Sequence, residues 1–152
     1  MNKIIYFIFA LLICSVSFAD KNMKIGSKGK SSDVTRTITV KMYDNYYEPN
    51  TFNIKKGETV KFEVKNLGEL VHEFNIANPM MHIKHQPEME LMVENEILLG
   101  DRIDKDKMQK MAAMDKSMGH SHSNSVLLAP KEEGTLIWKF ENIIEIQVPE
   151  KP

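Results

Sequence analysis

An all-β antiparallel sandwich, with its strands in Greek-key order and a partly helical insertion, is the fold class this sequence predicts. Three observations carry that expectation. Residues 35–66 alternate apolar and polar side chains, which is the mark of strands with one buried face. The apolar runs are short and separated by turn chemistry, as in two-layer β domains. Between residues 79 and 125 the alternation stops, and methionine, histidine and good helix formers take over.

The elements follow in order. Ile38, Val40 and Met42 share one face of a first run, Phe52 and Ile54 mark a second, and Val60, Phe62 and Val64 a third. "YDNYYEPN" and "KKGET" lie between them, and Gly57 stands where a tight reversal needs positive φ. "VHEFNI" predicts a fourth strand with His72, Phe74 and Ile76 on one face, placing a histidine near the core. "NSVLLAP" and "GTLIWKFEN" predict two more, with Leu136, Trp138 and Phe140 aligned. In the insertion, "QPEMELMVENEILLG" predicts a helix bounded by Pro87 and Gly100. A second helix is expected with Asp104 as N-cap and Gly119 as stop.

The ends of the chain carry their own signals. Residues 1–19 have the layout of a cleavable secretory signal: one charge at Lys3, the apolar run "IIYFIFALLIC", and "SFA" before Asp20. Cleavage there removes 19 of 152 residues and leaves 133, enough for one domain. The lone cysteine, Cys14, goes with the signal, so the exported chain has no thiol for disulfides, catalysis or metal. Residues 20–34 read as a flexible polar leader and residues 35–152 as the domain. Without Lys3 the charges are 19 basic against 21 acidic, which argues for neither nucleic acid nor an anionic membrane as partner. No stable membrane insertion is expected once the signal is removed. No hydrolase motif is present, and the chain is not expected to be an enzyme.

All five histidines lie between His72 and His122, and nine of eleven methionines lie between Met42 and Met118. Thioethers suit Cu(I) and imidazole suits either copper state, so copper is the metal this composition favours. The ligand candidates are Met80, Met81, His82 and His85, then Met118, His120 and His122. The alternative readings stay open: Met108, Met111, Met114 and Met118 are spaced as a packing stripe, and "HSHSNS" also suits a solvated loop.

The runs "TITVKMYD", "PNTFNIKKGETVKFEVKN" and "VHEFNI" resemble the cupredoxins, the plastocyanin- and azurin-like copper proteins, and most of all their periplasmic copper-handling subgroup. The resemblance covers roughly residues 35–78 and 123–141. It implies that His72 is the first ligand of a copper site. In that family a later loop supplies a cysteine, a second histidine and usually a methionine, but no Cys, His or Met follows His122 here. The last strand is therefore expected to be truncated, leaving a sheet edge exposed. These readings together predict a periplasmic copper-binding protein for homeostasis or tolerance, exchanging copper with a transport or copper-oxidising protein of the envelope. The alternatives are an electron-transfer cupredoxin and a truncated, metal-free relic of one.

Overall fold

A computed structural model describes residues 24–147; the signal-like segment lies outside them. Among the described residues, nine strands form a five-stranded sheet and two strand pairs around one apolar core. The strands are β1 (Gly26–Lys28), β2 (Arg36–Met42), β3 (Tyr47–Glu48), β4 (Thr51–Ile54), β5 (Thr59–Asn66), β6 (His72–Asn75), β7 (Ser125–Leu128), β8 (Glu133–Phe140) and β9 (Ile144–Gln147). The large sheet runs β1-β8-β5-β2-β3, with β4-β9 and β6-β7 as the pairs.

The alternation read from the sequence sets the buried faces. Val40 and Met42 of β2, Val60, Phe62 and Val64 of β5, and Leu136, Trp138 and Phe140 of β8 are all buried. They share one core with Phe52 and Ile54 of β4, Phe74 and Ile76 at β6, and Leu128 of β7. Phe62 sits at the centre, its ring 5.9 Å from Phe52, 5.2 Å from Phe74 and 6.3 Å from Phe140. Gly57 turns β4 into β5 at φ +80°, as the reversal requires.

Four expectations change. The large sheet is mixed, because β2 runs parallel to β5, with Ile38 opposite Phe62 and Val40 opposite Val64. Alternation fixes which face is buried and carries no information on strand direction. The segment read as leader contributes β1, which pairs with β8 from Gly26 opposite Phe140 to Lys28 opposite Trp138. The final stretch forms β9, antiparallel to β4, so that edge of β4 is paired and not exposed. The fourth change concerns the first helix, α1, which spans Pro79–Glu94 with Pro87 inside it. Proline removes one N–H and crowds the carbonyl four residues earlier; here Pro87 and Ile83 both lie on the exposed side of the helix.

α1 starts where Asn78 accepts a hydrogen bond from the Met81 N–H, 2.8 Å, with Pro79 at the first helical position. It stops at Asn95, whose side chain donates to the Leu91 carbonyl, and the chain turns through Glu96 at φ 54°. α2 (Lys105–Ala112) carries the expected cap, Asp104 accepting from the Lys107 N–H at 2.9 Å. It ends well before Gly119, which closes a separate 3₁₀ turn, Lys116–Gly119.

The insertion builds a small core of its own. Met92, Ile97 and Met118 are buried there, with Met89, Met108 and Met111 packed against them. Three members of the methionine stripe are thus used in packing, while Met114 is 90% exposed.

Where β5 ends, Asn66 ties three segments together. Fully buried, it donates to the carbonyls of Leu70 (2.8 Å) and Leu128 (2.9 Å) and accepts from the Gly68 N–H (3.0 Å). Truncation leaves these backbone groups unpaired at about 1–3 kcal/mol each where water cannot reach them. Asn66→Ala is therefore expected to lower stability by about 3 kcal/mol in urea denaturation, and a loss below 1 kcal/mol would contradict this role.

Candidate metal centre

The insertion leaves the fold from β6 and returns at β7, and these two strands are antiparallel neighbours with Asn75 opposite Ser125. Asn124 fastens the junction, donating to the Asn75 side chain at 2.9 Å and to the Ile76 carbonyl at 3.1 Å. Residues just ahead of β7 are thereby held beside the first turns of α1. On α1, Met81, His85 and Glu88 follow at i, i+4 and i+7 and share a face.

Three imidazoles meet at this junction. One nitrogen each of His85, His120 and His122 lies within 4.8 Å of the other two. Their ring centroids are 5.0–5.1 Å apart and the rings are steeply inclined to one another. His120 is 4% exposed, His85 10% and His122 37%, so the group opens to solvent on the His122 side. A cleft of about 240 Å³ leads in, lined by Met81, His85, Glu88 and His122 among others. His120 holds a left-handed backbone, φ 44°. That conformation is uncommon outside glycine, and tertiary packing must hold it.

Two carboxylates bracket the imidazoles. Glu73 of β6 places Oε1 3.1 Å from His120 Nε2 and Oε2 3.2 Å from His85 Nε2, and those two nitrogens are 3.3 Å apart. Glu88 holds His122 Nε2 at 2.8 and 2.9 Å. Burial pushes the Glu73 carboxyl up, but its hydrogen bonds with His120 and Ser125 and the charges of His120 and His85 outweigh this and leave it below the ordinary carboxylate value.

The donor set fits a small transition-metal ion. Metal–nitrogen distances near 2 Å put two ligands of one ion roughly 3.3 Å apart, which is already the His85–His120 separation.

Of the other sequence candidates, His72 lies elsewhere. Successive residues of a strand face opposite ways, so Glu73 reaches the imidazole group while His72 turns to the side of buried Phe74. Its Nε2 meets Asp44 Oδ1 at 2.9 Å, and its ring packs edge-on to Tyr47 at 6.2 Å. The same Asp44 accepts from the N–H groups of Glu69 and Leu70. The His72 hydrogen bond, followed by those two, holds the Asp44 carboxyl below its usual value. Since ligating histidines commonly carry such a carboxylate on the far nitrogen, coordination by His72 would run through Nδ1. Met80 and Met81 are half-buried and His82 is exposed, all on the first turn of α1 and not in a turn-like loop. Met118 is buried in the insertion's core.

Sequence reading missed Glu73 and Glu88. Glu88 carried a signal, three residues after His85 on a helix. Glu73 carried none, because its partner His120 is 47 positions away and meets it only through the β6–β7 pairing.

Comparison with known proteins adds an independent line. Residues 4–103 match the family described as cupredoxin-like domain. The chain is 35% identical to the copper-resistant cuproprotein CopI of Pseudomonas aeruginosa, an alignment covering 80% of this chain and 71% of that protein. It is 25% identical to the protein of the same description from Rubrivivax gelatinosus, over 80% of this chain and 60% of that one. No solved structure matches. The family match takes in His72, Glu73, His85 and Glu88, and stops short of His120 and His122. With two thirds of its length matched and the β core in place, the chain belongs to the cupredoxin family.

Proposed function

We propose that the chain is an exported copper-binding protein of copper resistance, working in the periplasm, with copper as its cargo. The carrying observation is the convergence of His85, His120 and His122 beside Glu73 and Glu88. The copper-resistant relatives support the choice of metal, and the signal-like residues 1–19 support export. Among the described residues no helix is long and apolar enough to cross a membrane. In this reading the three imidazoles hold the ion, Glu73 yields to it the His85 and His120 nitrogens it bridges, and Met81 lines the cleft beside them. The exposed side of His122 and the cleft beside it, lined by Met81, give the route by which copper passes to an envelope transport or copper-oxidising protein.

An electron-transfer role is disfavoured by chemistry, since a blue copper centre uses a thiolate with two imidazoles. The described residues contain no cysteine.

Competition titration tests the proposal. The chain is expected to take up one copper ion more than 100-fold more tightly than His85→Ala/His120→Ala, because loss of outer partners alone costs about 10–100-fold. Equal affinities would refute it.

A further inference from the structure

Resting on the reading of this cluster as a copper site, we infer that the site is built for Cu(II) and discriminates against Cu(I). The methionine-rich composition suggests the opposite, and the placement of the side chains decides between the two.

Thioethers are the donors that select Cu(I), and most of those in the insertion are committed elsewhere. Met92 and Met118 are buried with Ile97, and Met108 and Met111 pack on them. Met81 lines the cleft beside His85 and His122, and Met108 lines a second cavity beside His120 while packing on the insertion's core. What converges on the centre is nitrogen and oxygen: three imidazoles within 4.8 Å, and carboxylate oxygens 2.8–3.2 Å from their Nε2 atoms. Tetragonal nitrogen and oxygen sets are characteristic of Cu(II).

Charge points the same way. Glu73 and Glu88 bring two negative charges, each side chain only 14% exposed, to imidazoles that bind metal in their neutral form. A divalent ion is neutralised by that pair. Cu(I) leaves one negative charge uncompensated in a partly buried site, where water screens it poorly. The carboxylates also occupy the imidazole nitrogens by hydrogen bonding, so a metal must displace those contacts. An ion that binds oxygen as well as nitrogen recovers more of what is lost.

The test measures Cu(II) affinity in air and Cu(I) affinity anaerobically, each against a competing chelator, for the chain and two variants. Glu73→Gln/Glu88→Gln keeps the shape of the site and removes its charge. It is expected to weaken Cu(II) binding by about 10–100-fold and Cu(I) binding less than threefold, raising the copper midpoint potential by about 59 mV for each tenfold difference. Glu88→Gln alone, whose parent carboxylate contacts His122 and His85, should show the same sign if the double variant folds poorly. Met81→Leu should leave Cu(II) affinity within threefold. Equal loss for both oxidation states, or a larger loss for Cu(I), overturns the inference. If His85→Ala/His120→Ala leaves both affinities unchanged, it is the location of the site that fails, and the oxidation-state argument falls with it.

Discussion

Cu(II) at a hundredfold excess over its dissociation constant raises the thermal midpoint of the chain by roughly 10 °C, and His85→Ala/His120→Ala abolishes the gain. Any ligand that binds only the native state adds RT ln(1 + [L]/Kd), about 2.7 kcal/mol at that excess. For a domain of this length each kcal/mol is worth roughly 3–5 °C. The shift requires that the site exist only in the folded chain, and the geometry ensures this: Glu73 comes from β6, His85 from α1 and His120 from the segment ahead of β7. An unfolded chain cannot hold these groups together without closing a long loop. Differential scanning calorimetry with and without metal reads the effect. A gain that survives in the double variant means that copper is held elsewhere, and His72 becomes the residue to examine.

Phe62→Ala removes about 3–5 kcal/mol of stability, which is a large share of the roughly 5–15 kcal/mol typical of a whole domain. Phe62 is fully buried on the central strand of the large sheet, and its ring touches the rings of β4, β6 and β8. Its loss leaves a cavity that three elements cannot close at once. Urea denaturation gives the value; a cost under about 1 kcal/mol would mean that the β core repacks freely. Met118→Ala should behave differently, because Met118 belongs to the insertion's separate core. The expected result there is local opening of the insertion ahead of global unfolding, seen as faster amide exchange in α2 than in β5.

Buried faces were legible in the sequence because a strand alternates with period two whatever it pairs with. Val40, Phe62 and Trp138 are buried as that pattern requires. Direction was not legible: the parallel pairing of β2 with β5 depends on the crossover through β3 and β4, which no local pattern records. β1 was invisible for a related reason. "GSK" has no apolar face, and Gly26–Lys28 becomes a strand by bonding to the free edge of β8. α1 was misplaced because Pro87 reads as a boundary, yet its crowded side faces water. At the candidate metal centre the histidines were legible as a set of soft and borderline donors. Their grouping was not, since it pairs α1 with the segment ahead of β7 across more than thirty residues of chain. Topology brings them together, and it separates His72 from Glu73, its neighbour in sequence, by the simple alternation of a strand.

The proposed site puts copper on the insertion's imidazoles and not at His72. Pulsed electron paramagnetic resonance on the Cu(II)-loaded chain, counting coupled imidazole nitrogens, tests it most directly. Three coupled imidazoles are expected, reduced in His85→Ala, in His120→Ala and in His122→Ala, and unaltered in His72→Ala. A spectrum that changes with His72→Ala and is indifferent to the other three would contradict it.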